Sequence, residues 1–139
     1  MLYFGQSPPD GKPNTFQASE TGLGGNNGVL SIYATPGVDC LDAVLYSNRT
    51  SNSDTAFLGF GTQKVLDKVL SLQKNGGWDN GSGIDLKPEM AIDSTYSTAT
   101  RSMCRLPDGN DTDTNLDWQV VATGKASFGT GNSTEVHVP

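Results

Sequence analysis

Five oxygen-bearing side chains in the C-terminal third of the chain have residue types that bind metal ions. They are Asp108, Asp111, Asp113, Asn115 and Asp117. Calcium takes about six to eight oxygen ligands, and Asp111, Asp113 and Asn115 have the spacing of the first, third and fifth ligands of a calcium loop. In an extended backbone, alternate side chains also lie on one side. One interpretation of residues 108–117, the acidic loop, is therefore a calcium site.

A second interpretation of the acidic loop needs no metal ion. Leu116 stands where an EF-hand requires Gly, and Ala122 stands where it requires its last Glu, so the loop is not an EF-hand. Asp and Asn side chains commonly accept hydrogen bonds from backbone N–H groups in turns. The sequence favours this second interpretation, a polar loop capped by its own side chains and without a cofactor.

Two predicted strands hold the acidic loop at its ends. Residues 103–105 complete a strand after a Thr-rich run, and residues 118–121 resume as the next strand. Between them, the segment 106–109 (LPDG) is typical of a type I turn, because Pro presets φ at the second position. We therefore predict a strand, a loop and a strand over residues 102–121.

Two further strands are predicted to form a hairpin. Val29–Tyr33 and Leu41–Tyr46 flank a turn that contains Pro36-Gly37, which suits the centre of a type II turn. Leu30 and Ile32 are expected on one face of the first strand. On the second strand, alternation predicts that three side chains point inward: Leu41, Ala43 and Leu45.

One helical pattern occurs, over residues 62–74. Apolar or long side chains recur there at helical spacing, and they are Val65, Leu66, Val69, Leu70 and Gln73. Thr62 can cap the first turn, and Gly76-Gly77 ends the helix. Such an amphipathic helix is expected to cover part of a sheet.

Composition limits the class of protein. The 139 residues carry 9 basic and 15 acidic side chains, a net charge of −6. Phosphate recognition needs clusters of Lys and Arg, so nucleic acid is not an expected partner. The sequence has no run of about 18 apolar residues, so no membrane span is expected.

Short strands separated by turns, starting with Leu2–Phe4, predict one all-β domain over residues 1–139. The predicted fold is a β-sandwich with the helix inserted and a loose tail at 133–139.

Catalytic chemistry is not expected. The only histidine, His137, lies in the predicted loose tail, whereas a Ser-His-Asp or Cys-His arrangement needs a histidine held by its neighbours. Cys40 and Cys104, together with His137, lack the close pairs of a structural zinc site. The two cysteines could form a disulfide or remain buried free thiols, and the sequence leaves both alternatives open.

Several short motifs follow one another in order between Val29 and Asn132. They are Leu30, Ile32 and Tyr33, the strand LDAVLY at 41–46, Ser102, Arg105, the turn PDG at 107–109, the acidic residues 111–115, Trp118 and the turn GTGN at 129–132. In this order they resemble the C-terminal part of the lamin tail domain family, in its bacterial branch. The opening strands of that family are not matched, and the segment 47–83 is longer than the family's hairpin link.

The resemblance implies an immunoglobulin-like β-sandwich, incomplete if those first strands are missing. It also implies a non-catalytic binding or structural module of a secreted or surface-associated bacterial protein, with a protein or carbohydrate ligand. The alternative is a calcium-dependent carbohydrate- or protein-binding module that uses the acidic loop. If the first strands are missing, the helix, Leu2–Phe4 or another chain must cover a strand edge, which predicts strand-edge self-association as one outcome.

Overall fold

The structure is a computed structural model, and it describes residues 2–4, 16–18, 26–35, 38–48, 57–79, 87–98, 101–125, 127 and 131–132. For residues 2–4 and 16–18 it describes the backbone alone. The described part of the chain is rich in β-strands and contains one α-helix. The elements are β1 (Leu2–Phe4), β2 (Phe16–Ala18), β3 (Asn27–Tyr33), β4 (Cys40–Ser47), α1 (Gln63–Lys74), β5 (Ile92–Asp93), β6 (Ser102–Arg105) and β7 (Trp118–Val121). No described helix has both the length and the apolar character needed to cross a bilayer. His137 and the predicted loose tail lie outside the described residues.

The strands pair in three small sheets. β1 pairs with β2 in parallel, and β6 pairs with β7 in antiparallel orientation. In the third sheet β4 is central, antiparallel to β3 and parallel to β5. Parallel neighbours need a long crossover connection, usually a helix. The helix α1 lies in the connection between β4 and β5, and it packs against β3 and β4.

The predicted hairpin is confirmed as β3 and β4, but the prediction that Leu41 points inward is wrong. Ile32 lies opposite Asp42 and Tyr33 lies opposite Cys40, so Leu41 is the extra residue of a β-bulge. A bulge changes the alternation of side chains along the strand. Ala43 is buried as predicted, whereas Leu41 is 62% exposed and Cys40 packs against the core in its place. The central turn residues, 36 and 37, lie outside the described residues.

The predicted helix is confirmed together with its cap. The Thr62 side chain accepts a hydrogen bond from the Val65 backbone N–H at 3.2 Å. The predicted inward face needs one correction, because Leu72 is fully buried whereas Leu70 is 47% exposed. Together with Leu66 and Val69, Leu72 forms the stripe that faces the sheet, which is offset from the predicted stripe by part of a turn.

Among the described residues, a cluster of buried apolar side chains joins α1 to the sheet of β3, β4 and β5. Its members are Ala43, Leu45, Tyr46, Phe60, Leu66, Val69, Leu72, Trp78, Ala91 and Ile92. Trp78 is buried after the end of the helix, and its indole N–H donates to the Met90 carbonyl at 2.9 Å. Met103 and Trp118 pack against this cluster from β6 and β7, so the two-stranded sheet that bounds the acidic loop also contacts the core.

Candidate functional site

The acidic loop connects β6 to β7, as predicted from the two flanking strands. Arg105 pairs with Trp118 in the antiparallel register, so the loop closes directly beyond this pair. The turn at its start runs from Pro107 to Asn110, because the Asn110 N–H donates to the Pro107 carbonyl at 3.1 Å. This turn begins one residue later than the predicted type I turn, and Gly109 takes a positive φ of 72° inside it. The positive φ explains the need for Gly at that position.

Asp117 caps the interior of the acidic loop. Its side chain is 1% exposed and accepts hydrogen bonds from the Thr112 N–H at 2.7 Å and the Thr112 hydroxyl at 2.8 Å. The Asn110 amide donates at 2.5 Å, and the Thr114 N–H donates at 3.4 Å. Burial by itself would raise the pKa of Asp117, but the hydrogen bonds from Thr112 and Thr114 and the charge of Arg105 outweigh burial and lower the pKa. The carboxylate therefore holds the loop in its folded shape.

Arg105 connects the acidic loop to the central strand β4. Its guanidinium forms ion pairs with Asp42 at 2.5 Å and Asp111 at 2.7 Å, and donates to the Asn110 carbonyl at 2.7 Å. The same group lies over the Trp118 ring, 4.9 Å from the centroid. Burial acts to lower the pKa of Arg105, but the Asp111 hydrogen bond and the charges of Asp42 and Asp111 raise it. The guanidinium therefore remains charged and joins β4, β6 and the loop.

The other predicted metal ligands contact separate partners. The Asp113 carbonyl accepts a hydrogen bond from the Asp79 N–H at 2.6 Å, and the Asn115 amide donates to the Glu89 carbonyl at 3.2 Å. Asp108 is exposed and faces Gly131. Burial, followed by the charge of Asp111, raises the pKa of Asp113.

The backbone of the acidic loop departs from the extended form on which the calcium interpretation depends. Asp113 has a φ of +58°. Asn115–Asp117 form a short 3-10 helix, and the side chain of Thr114 caps its N-terminus by accepting a hydrogen bond from the Leu116 N–H. The loop is therefore not extended, and the period of two that would place alternate side chains on one side does not apply. In the described part of the chain, no group of three or more His, Cys, Asp or Glu side chains is arranged to hold a metal ion.

Several residues that organise this site have no local signal in the sequence. Asp42 and Arg105 are 63 residues apart in the chain, and only the tertiary structure brings their side chains together. Near the C-terminal end, the Asn132 amide donates to the Arg105 carbonyl at 3.0 Å, while Ser127 donates to the Asn132 side chain. Cys40 and Cys104 do not form a disulfide, and both are half-buried rather than fully buried as the thiol alternative expected.

The hairpin end, defined as Ile32, Val38 and Leu41, is an apolar surface that sequence alternation did not predict. These side chains are 59%, 58% and 62% exposed, respectively. Asp42 lies opposite Ile32 and next to Leu41, so its ion pair with Arg105 places the hairpin end beside the acidic loop. An apolar surface with a polar border is typical of an interaction site.

Replacing Arg105 with alanine is expected to lower the free energy of unfolding by about 2 kcal/mol, because Asp42 and Asp111 lose their cation and Trp118 loses its stacked guanidinium. Chemical denaturation would measure the change. Lys68→Ala is the matched control, since Lys68 is an exposed cation on α1, and it should change stability by less than about 0.5 kcal/mol. Equal effects of the two substitutions would contradict a linking role for Arg105.

Calcium is expected to leave the melting temperature unchanged, because the Asp117 and Asp111 carboxylates already have protein partners. The measurement is thermal unfolding by circular dichroism in EDTA, in about 5 mM magnesium and in about 5 mM calcium. Calcium at about 100 times its dissociation constant would add about 2.7 kcal/mol and raise the melting temperature by several degrees. A rise specific to calcium would establish the calcium interpretation of the acidic loop instead.

The fold and the site define a β-rich protein whose described part contains one α-helix, and in which a largely buried arginine and a buried aspartate hold a long loop beside β4. Residues 16–120 match the family model TP_1001_2nd, described as "protein second domain". The match spans more than half of the chain, so the chain belongs to this family. No curated protein and no solved structure gives a significant match. The family description states no activity, and the resemblance to lamin tail domains stays a prediction.

Proposed function

We propose that the chain is a non-catalytic binding module of a secreted or surface-associated protein, and that it binds a protein ligand through the hairpin end. The observation that carries this proposal is the exposure of Ile32, Val38 and Leu41 at one end of one hairpin. Single exposed apolar side chains are ordinary on protein surfaces, but a group of them with a polar border is typical of interaction sites.

The bulge at Leu41 supports a binding role for the hairpin end. Regular alternation would turn Leu41 towards α1, together with Ala43 and Leu45. The bulge turns this leucine towards solvent instead, at the expense of regular pairing in the sheet. Bulges of this kind often redirect a side chain at a functional position.

The contacts of the acidic loop support a structural role for its polar side chains. A catalytic pair of carboxylates needs groups that face a substrate and exchange protons with it. Asp117 instead faces backbone and side-chain donors of its own loop, and Asp111 faces Arg105. These contacts hold the loop beside the hairpin end and so contribute to a fixed binding surface.

For the scaffold we propose the immunoglobulin-like β-sandwich that the lamin tail resemblance implies. The antiparallel pairs β3–β4 and β6–β7 support it, as does their connection through Asp42 and Arg105, because a sandwich needs two such units packed together. The parallel pairing of β4 with β5 departs from the all-antiparallel pattern of simple sandwiches. An experimental structure with two facing sheets would support this scaffold.

Affinity capture from an extract of the source organism tests the binding role. The immobilised wild-type chain is compared with the double variant Ile32→Ser/Leu41→Ser and with Leu70→Ser. Leu70 is the matched control, because it is an exposed leucine on α1, away from the hairpin end. We expect a protein that the wild type and Leu70→Ser retain and the double variant loses. Retention of the same proteins by all three, or by none, would contradict the proposal.

Fractionation of the source cells tests the proposed location. We expect the protein in the medium or surface fraction, and its recovery with the cytoplasmic proteins alone would contradict a secreted or surface-associated role. Circular dichroism of each variant checks that it remains folded. Serine is chosen for the substitutions because both positions are largely exposed, so loss of the apolar side chain should cost little stability.

A further inference from the structure

Negative charge surrounds the apolar hairpin end. Asp39 lies in the turn next to Val38, and Asp42 follows Leu41 in β4. The ion pairs of Arg105 bring Asp111 to the same region, because one guanidinium contacts both Asp42 and Asp111. The apolar side chains are thus bordered by carboxylates that come from two separate parts of the chain.

Arg105 alone does not balance the carboxylates of this region. Arg105 is largely buried and already contacts Asp42, Asp111 and the Asn110 carbonyl. Asp113 adds another carboxylate from the same loop. The pKa of the Cys40 thiol, at the start of β4, is raised first by burial and then by the charges of Asp113, Asp42 and Asp111. Among the described groups around the hairpin end, negative charge is therefore in excess.

The charge excess distinguishes between the partners that could cover the hairpin end. A second copy of the chain in a two-fold contact would place the same carboxylates opposite one another, which is unfavourable. Nucleic acids and acidic proteins would meet the same repulsion. A partner with lysine or arginine around an apolar centre would instead gain from both the burial of apolar area and the attraction of opposite charges.

We propose that the hairpin end binds a cationic protein segment, which packs apolar side chains on Ile32, Val38 and Leu41 and directs lysine or arginine side chains at the surrounding carboxylates. This inference rests on the proposed function and adds the chemical class of the partner. Attraction between opposite charges also speeds association, so binding should be sensitive to ionic strength.

Three fluorescein-labelled 12-residue peptides provide the probes for fluorescence anisotropy: alternating lysine and leucine, alternating glutamate and leucine, and alternating lysine and serine. We expect the lysine–leucine peptide to bind at least about tenfold more tightly than either other peptide. An increase in NaCl from about 50 to about 500 mM should weaken this binding about tenfold, since it screens the exposed carboxylates.

Variants of the chain locate the peptide on its surface. Leu41→Ser should weaken binding of the lysine–leucine peptide at least about fivefold, and Asp39→Asn should weaken it about twofold to threefold at low salt. Leu70→Ser, the exposed leucine on α1, should leave the affinity within twofold of the wild type. Equal binding of the lysine and glutamate peptides, or an affinity that Leu41→Ser does not change, would overturn the inference.

The combined results separate this inference from the proposed function. If the extract contains a protein retained through the hairpin end but the lysine–leucine peptide does not bind there, the binding role stands and the cationic class of partner is wrong. If neither the extract nor the peptide gives binding that depends on Leu41, both proposals fail. Sedimentation of the free chain completes the test, because self-association that Leu41→Ser abolishes would identify a second copy as the occupant and overturn the cationic partner.

Discussion

Replacing Leu72 with alanine is expected to lower the free energy of unfolding by about 3 kcal/mol. Leu72 is fully buried between α1 and the sheet, so truncation removes apolar contacts and leaves a cavity that the neighbouring side chains fill only in part. Urea denaturation followed by circular dichroism would measure this change. The loss is large beside the usual stability of a small domain, about 5–15 kcal/mol, so the variant should unfold at a clearly lower urea concentration.

Leu70→Ala is the matched control for the Leu72 substitution. Both residues are leucines in the second half of the same helix, and alanine has a slightly higher helix propensity than leucine. Leu70 is 47% exposed, so its truncation should change stability by less than about 1 kcal/mol. A larger loss for Leu70 than for Leu72 would mean that the helix presents a different face to the sheet.

Replacing Asp117 with alanine is also expected to destabilise the fold by about 3 kcal/mol. The substitution leaves the Thr112 N–H and hydroxyl, the Asn110 amide and the Thr114 N–H without their common acceptor inside a closed loop. A buried donor that loses its partner costs about 1–3 kcal/mol, and some of these groups will find water when the loop opens. Thermal and urea denaturation would each detect the loss.

Asp108→Ala is the matched control for Asp117, because Asp108 is an exposed carboxylate in the same loop. It should change stability by less than about 0.5 kcal/mol. If the two substitutions had equal effects, the loop would not depend on the buried carboxylate. Amide hydrogen exchange of Thr112 and Thr114 gives a local measure, since loss of the acceptor should speed exchange there before the rest of the chain responds.

The lowered pKa of Asp117 also predicts a dependence of stability on pH. The folded state holds this carboxylate charged more strongly than the unfolded state does, so its contribution is present above the ordinary value of 3.8 and is lost as the pH falls below it. The raised pKa of Asp113 acts in the opposite direction, because burial, followed by the charge of Asp111, disfavours the charged form of this carboxyl in the folded state. Stability should therefore fall more steeply below about pH 4 in the wild type than in Asp117→Asn.

Local patterns in the sequence were sufficient for most of the regular elements. The helix α1 was predicted with its Thr62 cap because capping and helical spacing involve residues only a few positions apart. The hairpin of β3 and β4 and the strands on either side of the acidic loop were predicted for the same reason. Beginnings and ends of elements depend on nearby side chains, and the sequence contains that information directly.

The candidate site was predicted only as a set of residue types. The spacing of Asp111, Asp113 and Asn115 suggested common ligands, but the positive φ of Asp113 and the 3-10 helix that follows interrupt the extended backbone on which that spacing depends. The Asp111 carboxylate pairs with Arg105 instead, and the Asn115 amide donates to the Glu89 carbonyl. Asp117 accepts hydrogen bonds from its own loop, which is the type of contact that the second interpretation of the acidic loop predicted. Its burial and its contacts with Thr112 depend on how the whole loop closes, which no spacing rule describes.

The sequence by itself determined where the chain forms α1 and most of its strands, and that an acidic loop lies between β6 and β7. Only the tertiary structure decided that Leu41 faces solvent, that Leu72 rather than Leu70 is buried, and that Arg105 joins Asp42 to the loop. The physical reason is the range of the interactions. Caps, turns and periodicity act over a few residues, whereas a bulge, a buried face and an ion pair across 63 residues exist only after distant segments have packed together.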